Sequence, residues 1–239
     1  MAIAWTELTQ GSSDQSSFDS ASITPKEITY VAVAVAQAGS SGIASCDVSI
    51  SGGGLTWNHM VAGGQIYADR RKIFVLRGTG TPSAGVLTFT ITTGAGGLAE
   101  TMYSVDGIDG GNTSDPDDAP QVASTAGATA LACPDVGTPD AGDHIYAAFG
   151  IEGGTVSATV DDGIALTNLG GGAAVRTLVA FYDDNASDET PSIAWTGTNG
   201  AGGIGFIVNV AAAGGRTTKN TRAFPLGTEI GMNHRQCNI

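Results

Sequence analysis

The chain has 239 residues, of which only 14% are charged and 36 are glycine, a length and composition that suit a large all-β domain or two small ones. Long helices are disfavoured, because each interior Gly costs about 1 kcal/mol relative to Ala, whereas many short strands joined by tight turns fit. The net charge of −13 is split, since Arg216, Lys219, Arg222 and Arg235 against Glu229 give residues 216–239 a charge of +3 and leave −16 on the rest; so acidic a body repels phosphate backbones and excludes nucleic acid as its surface partner.

In chain order, MAIAWTELTQGSSDQSS (1–17) has neither a basic n-region nor an apolar h-region, so no secretory signal is expected. Residues 1–15 are expected to form an N-terminal arm. TYVAVAVA (Thr29–Ala36) is β-branched and apolar on both faces, which predicts a central strand covered on both sides. Strands follow at 46–50 and 70–77. In GVLTFTITT (Gly85–Thr93), Leu87, Phe89 and Ile91 alternate with Val86, Thr88, Thr90 and Thr92. That period of two places Leu87, Phe89 and Ile91 on the core side of a half-buried strand. Further strands are predicted at 99–106, 144–151, 174–182, 190–196 and 203–211. Turn chemistry separates them at SGGG (51–54), GTGTPSAG (78–85), TGAGG (93–97) and GTNGAGG (197–203). No apolar run reaches the ~18 residues a membrane helix needs.

An internal repeat runs through these elements. YVAVAVAQAG (30–39) is echoed by YAAFGIEGG (146–154), and RKIFVLR (71–77) by RTLVAFY (176–182). LTFTITTGAGG (87–97) is echoed by PSIAWTGTNGAGG (191–203), and ETMYSVDG (100–107) by GFIVNVAA (205–212). Two related halves are too few to propagate as a solenoid. They fit two halves of one sandwich or two small sandwiches packed together, and the single sandwich is the preferred reading. The expected fold is therefore an all-β, antiparallel, jelly-roll-like β-sandwich. It spans residues 16–213, in halves of about 16–110 and 120–213, with the joint in GIDGGNTSDPDDAP (107–120). Extended arms, 1–15 and 214–239, flank it.

Motifs that carry chemistry are scarce. In DGIDGGNTSDPDD (106–118), Asp109, Asn112, Asp115, Asp117 and Asp118 are hard oxygen donors of the type Ca²⁺ takes. Their spacing departs from the calcium-loop pattern, and a solvated loop of turn-forming residues is the preferred reading. The same holds for YDDNASDE (182–189), where Asp183, Asp184, Asp188 and Glu189 are expected to be exposed. His59, His144 and His234 share no zinc-ligand spacing. Cys46, Cys133 and Cys237 are odd in number and far apart, which fits reduced thiols and a cytosolic origin better than a disulfide framework. No GxSxG elbow or phosphate loop occurs. Carboxylate pairs for glycoside hydrolysis are a matter of three-dimensional spacing, but the aromatic platforms of such clefts are few here: Trp5, Trp57 and Trp195. Trp195 is expected in the core. Trp57, which follows GGGL, is open to core packing or to glycan contact. No catalytic residue, metal or cofactor is expected.

SSFDSASITPKEITYVAVAVAQAG, ISGGGLTWNHM, DRRKIFVLRGTGTPSAGVLTFTI and ETMYSVDGID resemble, in that order, a β-sandwich module of bacterial secreted proteins and of tailed-phage virion proteins. The resemblance covers about residues 16–110 and, more faintly, 140–212. Ser104-Val105-Asp106-Gly107 stands where that family has a Phe-Ser-Gly-type ending. Such modules bind or build rather than catalyse, and the missing secretion signal favours the phage side. Among phage proteins the chain looks most like a head decoration (cement) protein, a type that forms trimers on the capsid lattice. The resemblance implies a virion protein on the capsid surface, assembled in the host cytoplasm. Its expected partners are the major capsid protein and neighbouring copies of itself, not nucleic acid or membrane. A tail-fibre, baseplate or carbohydrate-binding sandwich is the alternative.

The basic segment RTTKNTRAFPLGTEIGMNHRQCNI (216–239) is then the expected carrier of partner binding. Phe224, Leu226, Ile230 and Met232 are its apolar anchors, and Pro225 stiffens the approach. Arg216, Arg222 and Arg235 are suited to bidentate pairing with carboxylates.

Overall fold

The computed structural model describes residues 2–39, 42–153, 158–160, 163–184 and 189–212. Among the described residues, apart from one short 3₁₀ turn (Ile43–Ser45), the regular structure is all β and the strand pairings are antiparallel. One large sheet has the order β1 (Ala4–Ser13), β9 (Leu98–Asp109), β3 (Ile28–Gln37), β7 (Arg71–Gly80), β5 (Leu55–His59), with β6 (Gln65–Ala68) also on β7. A second has the order β10 (Gln121–Ala132), β15 (Ser192–Val208), β11 (His144–Ile151), β14 (Thr177–Asp183), β13 (Ile164–Gly170), with β12 (Ala158–Val160) on β15. A small sheet sets β2 (Ser17–Asp19) and β4 (Asp47–Gly52) either side of β8 (Leu87–Thr92).

The two large sheets are laid out alike, strand for strand. In the first, Tyr30 at the start of β3 pairs with Arg77 and Asp106. In the second, Tyr146 of β11 pairs with Tyr182 and Phe206. The sequence echoes 30/146 and 77/182 therefore hold residue for residue. The last echo does not: Asp106 is equivalent to Phe206, not to Ala211. An odd shift of five would have turned every side chain to the opposite face.

The reason for the slip lies in GTNGAGG (197–203), predicted as a turn and observed inside the 17-residue strand β15. In the first half, TGAGG (93–97) lets the chain leave the small sheet after β8 and enter the large one as β9. In the second half the equivalent stretch stays paired and bends. Gly197 takes a left-handed φ of 87°, and β10 follows with register shifts between Thr125 and Ala130. Ser192–Ala194 pair with Ala130–Ala132, and β12 covers the other side, reproducing the small sheet without cutting the strand.

Alternation along the central strands builds three large cores among the described residues, with a small fourth cluster at Val136, Ile145 and Ile207. Val31, Val33 and Val35 of β3 pack with Val48, Leu87, Phe89 and Ile91 beneath the small sheet. Ala147, Phe149 and Ile151 of β11 pack with Ala158, Ile193 and Trp195 in the second half. The opposite faces, Tyr30, Ala32, Ala34 and Ala36 against Tyr146, Ala148 and Ala180, meet in a third core between the halves. β3 is buried along its whole length, as its two-sided apolar sequence requires. Leu87, Phe89 and Ile91 face inward and Trp195 is buried, as expected. The antiparallel sandwich is thus observed, and its layering is that of two small sandwiches back to back rather than one two-layered sandwich. Small residues bring the inner sheets close: a Cβ on Gly202 would lie 2.5 Å from the Cβ of Tyr67, and one on Gly150 2.9 Å from its hydroxyl.

Residues 4–13, expected within an N-terminal arm, form the edge strand β1 along β9. Its sequence, AWTELTQGSS, has few apolar residues because only one face meets the core. Residues 110–120 lead from β9 to β10 and bridge to the end of β15 through Gly111–Val210 and Asp117–Val208.

Candidate functional site

The richest concentration of buried polar side chains lies in the seam between the halves, and alternation puts it there. On β9, Glu100, Met102, Ser104, Asp106 and Ile108 share one face, and Met102 and Ile108 belong to the inter-half core. The polar members of that face must find partners across the seam or stay unsatisfied in an apolar setting, at a cost of about 1–3 kcal/mol each. Glu100 accepts three backbone N–H groups in a row, from Ala173 (3.1 Å), Ala174 (2.7 Å) and Val175 (2.6 Å). Beside it Arg71 donates to Glu152 (2.7 Å) and to the Ala174 carbonyl (2.9 Å).

Asp106 is wholly buried. It accepts hydrogen bonds from the Tyr146 hydroxyl (2.9 Å) and from Ser104 Oγ (2.9 and 3.0 Å). Ser104 Oγ lies 2.6 Å from Thr167 Oγ1, which is 2.9 Å from Glu7 Oε2. Tyr146, Ser104 and Thr167 supply one proton each, while the chain from Tyr146 through Asp106, Ser104 and Thr167 to Glu7 has four links. A complete chain therefore needs one further proton, on Asp106 or on Glu7. Burial pushes the Asp106 carboxyl up to about 7, against the hydrogen bonds from Tyr146 and Ser104 and with the help of the Glu7 charge. Tyr146, buried beside that carboxyl, is held well above the ordinary phenol range.

Aromatic rings complete the seam. Trp5 of β1 stacks on Tyr146 and Tyr182, with centroids 5.3 and 5.6 Å away, and its Nε1 donates to His144 Nδ1 at 3.1 Å. Burial moves the His144 imidazole below its ordinary value.

At one margin the seam opens into a cleft of about 260 Å³, lined by Asn58, His59, Met60, Arg77, Asp117 and Asp118 among others. Arg77 Nη1 donates to both oxygens of Asp117 (2.6 and 2.7 Å), and the Tyr30 hydroxyl donates to the same carboxylate at 3.1 Å. Burial raises the Asp117 carboxyl, opposed by Arg77 and Tyr30. Arg77 Nε and His59 Nδ1 are buried with no hydrogen-bond partner among the described residues. The cleft offers the Asn58 amide and the guanidinium as donors and two carboxylates as acceptors, a set suited to hydroxyl-rich or small polar groups.

The residues singled out from sequence fall differently. Arg216, Arg222, Phe224, Pro225, Leu226, Ile230, Met232 and Arg235 lie outside the described residues. Trp57 is half-buried on β5: its Nε1 donates to the Gly52 carbonyl (3.2 Å), and its ring lies so close to Gly78 that a Cβ there would sit 2.7 Å from Cζ3. It packs against the first-half core, so of its two readings core packing describes what it touches.

The acidic loop 106–118 disperses its donors. Asp109 pairs with Lys26 (2.8 Å) and Asp117 with Arg77, while Asn112 Oδ1 accepts the N–H of Ser114 and Asp115. Among the described residues no group of three or more His, Cys, Asp or Glu is placed to hold a metal. Asp183, expected to be exposed, is buried at the end of β14, opposite Ile145.

Asp106, Tyr146, Glu100 and Trp5 carried no role in the sequence reading. A usable signal existed for two of them, since MYSVDG (102–107) sets the carboxylate of Asp106 inside a strand and a Tyr at both equivalent positions 30 and 146 interrupts an otherwise apolar face. No protein-family model, curated protein or solved structure matches this chain.

Proposed function

We propose that this is a non-catalytic structural protein of a virus particle, a head decoration (cement) protein that binds and stabilises the capsid lattice through its basic segment. The observation that carries the reading is the division of charge: −16 on residues 1–215 against +3 on 216–239, the latter set with Phe224, Leu226, Ile230 and Met232. Segments that order on a partner cover much surface per residue. Two features of the body support it. Its buried carboxylates tie one half to the other through hydrogen bonds, which suits a rigid block. The outer face of the small sheet presents Ser17, Ser49, Ser51, Thr90 and Thr92 beside the carboxylates Asp19 and Asp47, a flat polar face open to a neighbour. Incorporation into particles tests it: removal of residues 216–239 is expected to abolish incorporation and leave the body folded. Normal occupancy by the truncated chain would overturn the proposal, and tens to hundreds of copies per particle are expected by quantitative mass spectrometry.

The seam cleft favours one second reading, a carbohydrate-binding sandwich of a tail fibre or baseplate. Asn58, Arg77 and Asp118 would supply the hydrogen bonds to sugar hydroxyls. A glycan-array signal lost on Asn58→Ala, with three to twelve copies per particle, would support that reading over the first.

A further inference from the structure

The first residues of β1 are tied to the second half by a hydrogen bond whose direction is fixed. An indole N–H only donates, so in the contact between Trp5 Nε1 and His144 Nδ1 (3.1 Å) the imidazole nitrogen must accept. His144 therefore carries its proton on Nε2 and is neutral in this arrangement. Rings surround that bond. Trp5 stacks on Tyr146 and Tyr182, His144 stacks on Tyr182 with centroids 5.5 Å apart, and Tyr30 tilts against Trp5 at 5.9 Å. Tyr146 is fully buried, whereas Trp5 and His144 are half-buried and within reach of solvent protons.

The strand itself is divided at this end. Ala4–Glu7 pairs with Asp106–Asp109, a bulge at Leu8 breaks the register, and Thr9–Ser13 pairs with Thr101–Val105. A bulge interrupts the ladder, so the short segment 4–7 is separable from the longer one that follows. Trp5 holds it to the second half, as does Glu7, which accepts from Thr167 at 2.9 Å, while Ile3 anchors the same end in the core between the halves.

The charged groups around the imidazole come from each neighbouring element. Asp143 precedes it on its own strand and Asp184 follows β14, and both carboxylates favour a proton on the ring, against the burial that keeps it off. Asp183, next to Tyr182, lies opposite Ile145. Tyr182, Tyr146 and Tyr30 are the phenols of the stack, and Asp106 of β9 accepts from the Tyr146 hydroxyl. Also on β9, Asp109 stands opposite Ala4 and is paired with Lys26, while β15 sets the uncharged Val208 opposite His144.

We propose that the Trp5–His144 pair is a proton-operated latch on the N-terminal end of β1: one proton on His144 Nδ1 sets two N–H donors against each other and loosens residues 4–7 from the seam. Burial holds the imidazole below its ordinary value, so the opened segment binds the proton more readily than the closed one. Closure is therefore complete while the ring is neutral and weakens as pH falls below about 6.5. Losing one such hydrogen bond, with a donor left unpaired, shifts the closing equilibrium about tenfold. Ile3 keeps its place in the core, so acid loosens the segment rather than freeing it. Loosening uncovers ring faces of Tyr146 and Tyr182 that the neutral protein hides. The latch belongs to the fold of the chain itself and does not rest on the virion reading.

The full chain, ¹⁵N-labelled, is followed by NMR from pH 8 to 5. The Trp5 indole proton, assigned by its absence in Trp5→Phe, is expected to lose its hydrogen-bonded shift and its protection from solvent exchange as pH falls from 6.5 to 5. Protection factors, corrected for the intrinsic pH dependence of exchange, should fall about tenfold at residues 4–7 and hold at residues 9–13. In His144→Gln, whose amide oxygen accepts but takes no proton, both changes should vanish. Trp5→Phe keeps a stacked ring without the opposing donor and should likewise show no acid-dependent loosening of 4–7, an independent check if His144→Gln does not fold. An indole signal unchanged down to pH 5, loosening that persists in either variant, or equal loosening on both sides of the bulge would each overturn the proposal.

Discussion

Asp106→Asn isolates the buried proton of the seam. The fold raises this carboxyl from 3.8 to about 7 because it is wholly buried, and the Tyr146 and Ser104 hydrogen bonds recover only part of that cost. A raised carboxyl favours the proton-bound folded state. Below pH 4 both folded and unfolded chains hold the proton, and the group contributes no pH dependence. Between pH 4 and 7 the unfolded chain releases it while the folded chain keeps it, so stability falls as pH rises. Above 7 the full penalty is present. Three pH units at about 1.4 kcal/mol each give up to about 4 kcal/mol. Denaturant unfolding of wild type and Asp106→Asn at pH 5, 6, 7 and 8 should show the variant gaining on the wild type by about 3 kcal/mol, since about two of those pH units fall within the range. The proton count sharpens the expectation for Glu7→Gln. A Gln amide can donate to Thr167 and complete the chain without a shared proton, so the midpoint of the wild-type pH dependence should move down. A stability difference between wild type and Asp106→Asn that stays constant from pH 5 to 8 would refute both steps.

Other substitutions probe the seam and the cores. Glu100→Ala strands three backbone N–H groups and should cost about 3 kcal/mol by chemical denaturation, whereas Glu100→Gln, which keeps an acceptor, should cost clearly less. Gly202→Ala drives a methyl against the Cβ and Cγ of Tyr67 and is expected to lower stability by about 1–3 kcal/mol, with the thermal midpoint as readout. Burial pushes the Cys46 thiol up to about 11 and the Cys133 thiol up to about 12. Both should resist iodoacetamide at pH 8 in the folded protein and react fully in denaturant, as followed by mass.

Several elements were legible from local pattern alone. Thr29–Ala36 has apolar residues on both faces, and no solution other than a central, doubly covered strand buries them. Leu87, Phe89 and Ile91 have the period of a strand with one wet face. The echo of Tyr30 and Arg77 in Tyr146 and Tyr182 fixed equivalent positions in two sheets that share no side-chain identity at the second pair. Edge strands were harder to see. β1 reads as a polar stretch and β10 as an Ala- and Thr-rich one without large apolar alternation, because a strand with one neighbour buries little. GTNGAGG has turn composition, and whether such a stretch turns or bends within a sheet depends on the strand beside it. In the second half that neighbour is β10, which lies about 70 residues earlier in the chain.

The candidate site was the least legible part. Glu100 meets residues 173–175, Ser104 meets Thr167 and Trp5 meets His144. These are pairings across the seam, and no local pattern encodes which face of one half lies on which face of the other. The amino-acid sequence by itself determined an all-β chain, its alternation of inward and outward side chains, its internal repeat and its division of charge, because each follows from short-range periodicity or composition. The tertiary structure decided that the halves pack back to back, and that Asp106 and Glu100 become buried ties rather than surface charges. Those outcomes depend on desolvation and hydrogen bonding between residues brought together only when both sheets have formed.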